Sequence, residues 1–364
     1  MIKMFNFRKA IQPLDAYVPG KPIDEVKQAY KLAHVVKLAS NENPYGAAPS
    51  VKEAVLATFE NAAVYPDGYC TKLRKAVSEF YNIAPNRLVF GAGTDDVIEM
   101  LGKVFIEPGD EAITGAVTFS QYAASVEAMG GRMIYTPMQN NAFNLDALLE
   151  AITPKTKLIF IANPNNPTGT YFSQAEQDAF IAKVPSHIVV IFDEAYQEYV
   201  AATDYPNTWE TLQKYPNVVL LKTFSKVYGI PSFRVGFGVC HTSIVKQIEK
   251  IRSPFNVSSQ AQAAAIAALA DQNFVKYSYK KNRHVMEYTI KTLDEMGIYS
   301  IPSQANFIMT DVKTDSYQIF EKLMTKGYII RAGSAFGMDS YIRITLGTEE
   351  EMKGLFVALK EVLT

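Results

Sequence analysis

Seven short apolar runs lie between residues 88 and 239 and constrain this chain more than any other feature. They are Leu88-Val-Phe, Glu111-Ala-Ile-Thr, Arg132-Met-Ile-Tyr, Leu158-Ile-Phe-Ile-Ala, Ile188-Val-Val-Ile-Phe, Val218-Val-Leu-Leu and Val235-Gly-Phe-Gly-Val. Helical patterns at 95–105, 120–129, 145–152 and 174–184 separate most of them. A strand that is apolar on both faces must be covered on both faces, and a helix between two such strands makes the crossover that a parallel pair needs. The pattern therefore predicts an α/β unit: a mostly parallel seven-stranded sheet with helices on both sides. In such sheets ligands bind beyond the carboxyl ends of the strands.

Those ends carry unusual polar residues. After Val218-Val-Leu-Leu comes Thr223-Phe-Ser225-Lys226, with Arg234 eight positions beyond the lysine. A serine hydroxyl, a lysine amine and an arginine fork together suit a phosphorylated aldehyde: the amine condenses with the carbonyl, while hydroxyl and guanidinium hold the phosphate. After Leu88-Val-Phe comes Gly91-Ala-Gly-Thr94-Asp95, opening a helix whose first N–H groups are free for an anion. Phe119 follows the second run and could stack on a flat ring or simply pack in the core. Asn163-Pro-Asn-Asn166-Pro-Thr-Gly reads as a rigid loop that holds out the Asn166 amide. Asp193 closes an apolar run, where a carboxylate is costly unless it meets a cation such as a protonated pyridine; capping a following helix is its plainer role. Tyr196, three residues on, could reach the same ligand.

The rest of the chain is less specific. Residues 1–30 contain Tyr17-Val-Pro-Gly-Lys-Pro and read as a turn-rich arm. A short strand from Val35 runs into the polar loop Ser40-Asn-Glu-Asn43-Pro-Tyr-Gly, and a helix starts near Pro49 with Ser50 as its candidate cap. Tyr65-Pro-Asp-Gly is a turn, and Ser259-Gln-Ala-Gln reads as a capping box. Beyond about 270 helices and strands form a second, smaller α+β unit, with Arg331 and Arg343 in its strands.

Composition excludes several classes. With 364 residues, 48% hydrophobic and a formal net charge of −1, the chain has ample core and no basic field for nucleic acid. Its two cysteines, Cys70 and Cys240, are too few for a disulfide framework or a thiol metal site, and the four histidines show no ligand spacing. The sparse cysteines lead to the expectation of a reducing cytoplasm, and no apolar run is long enough for a membrane span.

Taken together, these motifs resemble the fold type I pyridoxal-phosphate aminotransferases, and within them the histidinol-phosphate aminotransferase family. The likeness runs from Tyr17-Val-Pro-Gly to Ile342-Arg-Ile-Thr-Leu-Gly. It implies transamination of L-histidinol phosphate with 2-oxoglutarate, with an aromatic or broad-specificity aminotransferase as the alternative. The cofactor implied is pyridoxal 5'-phosphate. The resemblance attaches Lys226 to the cofactor and makes it the proton shuttle. It pairs Asp193 with the ring nitrogen, and sets Asn166 and Tyr196 on the ring oxygen. Phe119 lies on the ring face. Ser225, Arg234, Thr94 and Asp95 hold the phosphate, with Tyr65 contributed by the other subunit of a homodimer. Tyr17, Asn43, Arg331 and Arg343 are the implied substrate contacts. Residues 1–30 form the arm, 49–269 the large cofactor-binding domain, and 31–48 with 270–364 the small domain. The chain departs from many members in reading Ile230-Pro-Ser-Phe before Arg234, and Val117 before Thr-Phe. A regulator on this fold would carry an added DNA-binding domain, and the first 40 residues are too few to form one.

Overall fold

The structure, a computed structural model, describes residues 5–16 and 19–364. Its main sheet is built from the seven expected runs: β1 (Leu88–Gly91), β2 (Glu111–Gly115), β3 (Arg132–Thr136), β4 (Thr156–Ala162), β5 (Val189–Asp193), β6 (Val218–Thr223) and β7 (Gly236–Val239). Their spatial order is β1-β7-β6-β5-β4-β2-β3. Only β7 is antiparallel to its neighbours. The central strands are apolar on both faces because both are covered: Val190, Ile191, Leu220 and Leu221 are fully buried.

Helices α1 (Pro49–Ala57), α2 (Thr94–Phe105), α3 (Gln121–Glu127) and α4 (Ser259–Ala270) pack around this sheet in one hydrophobic core. A second core gathers Val36 and Leu38 with Leu293, Ile308, Ile344 and Leu355. It lies between the long helix α5 (Gln272–Glu295), the last helix α6 (Glu349–Leu363), and a four-stranded antiparallel sheet. That sheet contains β8 (Ser300–Ile301), β9 (Phe307–Asp311), β10 (Arg331–Ala332) and β11 (Tyr341–Thr345), in the order β8-β9-β11-β10. Among the described residues no helix is long and apolar enough to cross a membrane, and no cluster of His, Cys, Asp or Glu could hold a metal ion.

Three local expectations change. Ser50 does not cap α1: Ala48 occupies the cap and Pro49 the first helical position, where its missing N–H costs nothing. The cap of α4 is Ser258, whose hydroxyl accepts from the Ala261 N–H, one residue before the expected Ser259. The arm holds a helix, Ile23–Tyr30, which starts directly after Pro22 and buries Val26.

One close approach fixes the loop that carries Lys226. Gly229 (φ +68°) passes so near the polar loop that a Cβ there would lie 1.7 Å from the Gly46 carbonyl oxygen. Gly229→Ala is therefore expected to lower the unfolding free energy by about 2–4 kcal/mol, from positive-φ strain plus overpacking. Denaturant midpoints measure this; a variant within about 0.5 kcal/mol of the parent contradicts the packing described.

Candidate active site

The carboxyl ends of β1, β2, β4, β5 and β6 open onto one cleft of about 240 Å³. Thr94, Asp95, Phe119, Asn166, Asp193, Tyr196, Ser225, Lys226 and Arg234 all line it. These nine residues come from five separate strand ends, and the parallel topology is what brings them together.

Asp193 is the last residue of β5 and is only 6% exposed. Its Oδ1 accepts from the Ala195 N–H at 3.2 Å and its Oδ2 accepts from the Tyr122 hydroxyl at 2.8 Å. No helix follows it directly, so helix capping is not its role. Burial pushes its carboxyl up to about 6, against the pull of those two donors. A buried carboxylate so placed favours a cationic partner.

Lys226 lies past the end of β6. Its Nζ donates to the Ser40 carbonyl at 3.3 Å and sits 5.5 Å from the centre of the Tyr196 ring. The Tyr196 hydroxyl accepts from Asn41 Nδ2 at 2.9 Å, which leaves its own proton to donate into the cleft. Asn166 Oδ1 accepts from Arg343 Nη1, so the Asn166 NH₂ group is the part left to meet a ligand oxygen.

An anion-binding corner lies at the start of α2. Gly93 (φ +85°) is the cap residue and offers no side-chain acceptor to the first N–H groups. A Cβ on Gly93 would stand 2.5 Å from Arg234 Nη2, so only glycine lets this guanidinium lie against the helix start. Arg234 also pairs with Asp95 Oδ2 at 3.3 Å. Ser225 is buried and lines the same cleft.

The remaining sequence candidates are placed differently. Arg331 and Arg343 stand directly opposite each other across the β10–β11 pair. Arg343 is buried, donates to the Ala39 carbonyl at 2.6 Å, and lies over the rings of Phe307 and Phe336. Asn43 does not line the cleft: its Nδ2 donates to the Val227 carbonyl at 2.8 Å and to Ser278 Oγ at 3.0 Å, tying the polar loop to the residue after Lys226. Tyr65 is 79% exposed, stacks on Phe255, and does not line its own chain's cleft. Tyr17 lies outside the described residues.

Sequence reasoning missed Asn41, Tyr122 and a buried ion cluster behind the site. Asn41 also shares two hydrogen bonds with Thr345 Oγ1, each 2.9 Å, so it links the small unit to Tyr196. Lys222 is buried beside Glu198 at 2.8 Å and Glu194 at 3.9 Å. Burial pushes Glu194 up to about 7 although Lys222 pulls the other way. A lysine inside the apolar run that ends at Thr223 was the available signal, since a buried lysine calls for acidic partners.

The profile of the class I and II aminotransferases matches residues 33–359. The chain belongs to that family. It is 42% identical to a histidinol-phosphate aminotransferase of Geobacillus sp. (strain WCH70) over 358 residues, 98% of each chain. It is 43% identical to one of Halalkalibacterium halodurans over 350 residues, 96% of this chain and 95% of the other. Among solved structures, histidinol-phosphate aminotransferase from Sinorhizobium meliloti in complex with pyridoxal-5'-phosphate superposes with a TM-score of 0.92 at 28% identity. That match covers 100% of this chain and 99% of the other. The fold is that of the fold type I enzymes, and the cofactor of this aminotransferase is pyridoxal phosphate. The cleft fits that group: it offers an amine for an aldehyde, a buried carboxylate lacking a full counter-charge for a pyridinium, and an arginine beside a helix start for a phosphate.

Proposed function

We propose that this aminotransferase transfers the amino group of L-histidinol phosphate to 2-oxoglutarate, giving imidazole acetol phosphate and L-glutamate. The observation that carries the reading is the arginine pair: Arg343 grips Asn166 at the cleft wall while Arg331 stands opposite it. Neither arginine lines the cleft itself, but Asn166 does, and the contact of Arg343 with it supports a substrate-anion role: a guanidinium fork suits the phosphate of one substrate and the carboxylates of the other. The names of the relatives described above support the donor.

Pyridoxal phosphate, when bound, supplies an electron sink for the carbon that loses its proton. The chain's residues do the rest. Lys226 would hold the aldehyde carbon of the resting cofactor and, once displaced by the substrate's amine, would be the base that moves the proton between the substrate carbon and that carbon. Asp193 would keep the ring nitrogen protonated, Asn166 and Tyr196 would donate to the ring oxygen, and Phe119 would cover a ring face. Ser225, Arg234 and the N–H groups of Thr94 and Asp95 would hold the phosphate. Tyr17 and Asn43 complete the substrate end, Asn43 through its grip on the Lys226 loop. The large unit is 49–269, the small unit 31–48 with 270–364, and the arm 1–30; the two separate cores support this division. Buried free thiols at Cys70 and Cys240 accord with a cytoplasmic setting.

The active form is a two-fold homodimer in which Tyr65 of one subunit reaches the other's phosphate corner. Its exposure, and its absence from its own cleft's lining, support this. Tyr65→Phe is expected to raise the cofactor dissociation constant about tenfold with the melting temperature unchanged, the loss of one charge-assisted contact. Equilibrium dialysis checks it, and full activity of a strictly monomeric species in sedimentation contradicts it. Formation of glutamate from 2-oxoglutarate with histidinol phosphate as sole donor tests the reaction itself. No glutamate overturns the reading.

A further inference from the structure

We propose that Tyr122 is a positioning residue for Asp193: its hydroxyl holds one carboxylate oxygen so that the anion faces the cofactor's ring nitrogen. The inference rests on the reading of Asp193 as that nitrogen's partner, and on nothing about the amino donor.

The geometry leaves Tyr122 little freedom. Its side chain is 0% exposed. The ring stacks on Phe160 of β4 at 4.9 Å and 11°, and meets Phe119 edge-on at 5.6 Å and 83°. The hydroxyl reaches Asp193 Oδ2 at 2.8 Å while the backbone N–H of Ala195 takes Oδ1. Each carboxylate oxygen thus has one donor from the protein and keeps a lone pair for the cleft. Tyr122 therefore braces two expected cofactor contacts at once, the Asp193 carboxylate and the Phe119 ring.

The electrostatics point the same way. Burial raises Asp193, and the near charge of Asp95 adds to this; Tyr122, the Ala195 N–H and Lys226 act against it. Glu194 and Tyr205 also couple to Asp193 from neighbouring segments, and Tyr196 lies beside Tyr122. The Tyr122 phenol itself is pushed well above its ordinary value by burial, so it remains a donor throughout the working range.

A cofactor-free chain below about pH 6 carries a neutral Asp193, and pairing with a pyridinium then requires loss of that proton. Affinity falls as pH drops through that value. Without the Tyr122 hydroxyl the anion loses a donor, its protonation moves to higher pH, and the fall begins earlier. Protonation of the cofactor affects parent and variant alike, so it cancels in the ratio of their dissociation constants.

The test is equilibrium dialysis of pyridoxal phosphate against the full chain, its Tyr122→Phe variant, Asp193→Asn, and the double variant, from about pH 8.5 to about pH 5.5. The ratio of Tyr122→Phe to parent is expected to rise about tenfold as pH falls, and to stay flat in the Asp193→Asn background. A flat ratio in the Asp193 background, with Asp193→Asn itself binding weakly, overturns the role of Tyr122 alone. The same rise in the Asp193→Asn background also overturns it, because the effect is then packing. Asp193→Asn with parental affinity overturns the reading of Asp193 as well.

Discussion

Lys226→Ala is expected to lose at least about 10⁴-fold in kcat, because one side chain serves both as the attachment point of the cofactor and as the base that moves the proton. The fold should survive. Among the described residues the amine's one hydrogen bond is to the Ser40 carbonyl at 3.3 Å. The loop around it is held by other groups: Asn43 on the Val227 carbonyl, and the Gly229–Gly46 approach. The melting temperature should therefore change little, while the visible absorbance of the bound cofactor shifts toward that of free pyridoxal phosphate. Small added amines should restore part of the turnover, as expected when only a base and a tether are missing. Multiple turnover by the alanine variant without added amine contradicts the assignment.

Arg343→Ala is expected to have the next largest effect. Arg343 is buried, donates to Asn166 and to the Ala39 carbonyl, and is held between Phe307 and Phe336. Losing a bidentate anion contact of about 3–4 kcal/mol lowers kcat/KM for histidinol phosphate by about 10²–10³-fold. Arg343→Lys should recover little, since an ammonium cannot present the planar fork. Arg331→Ala, at a half-buried position, should cost about tenfold. The dephosphorylated donor should be affected far less by Arg331→Ala, so the discrimination between the two donors narrows. Equal losses for both donors in steady-state kinetics count against an anion-binding role.

The sheet and the cleft were legible in the sequence for one physical reason. Strands buried on both faces announce themselves as continuous apolar runs, and the parallel rule then marks which ends matter. Asp193, Lys226 and Asn166 stand at such ends, so chemistry and topology agree on them. Long-range contacts leave no such mark. Asn43 entered as a substrate contact through the family resemblance alone. Only the fold shows its amide on Val227 and Ser278. Asn41 reaches Tyr196 across 155 residues, a pairing no local period encodes. Tyr122 was closer to hand: it follows Phe119 by three positions at a helix start, the spacing that puts two side chains on one face. The helix Ile23–Tyr30 was hidden by the proline and glycine just before it, which read as a turn although Pro22 serves as the helix's cap residue.

The central claim is the identity of the amino donor, and one comparison tests it most directly. The purified enzyme is converted to its amino-loaded form with histidinol phosphate, phenylalanine or tyrosine in turn, and the change in cofactor absorbance gives kcat/KM for each half-reaction. Histidinol phosphate should lead clearly, with slower conversion by the aromatic amino acids, whose rings imitate the imidazole in shape while lacking the phosphate. If phenylalanine or tyrosine equals or exceeds histidinol phosphate, the donor assignment is wrong and the enzyme is an aromatic aminotransferase.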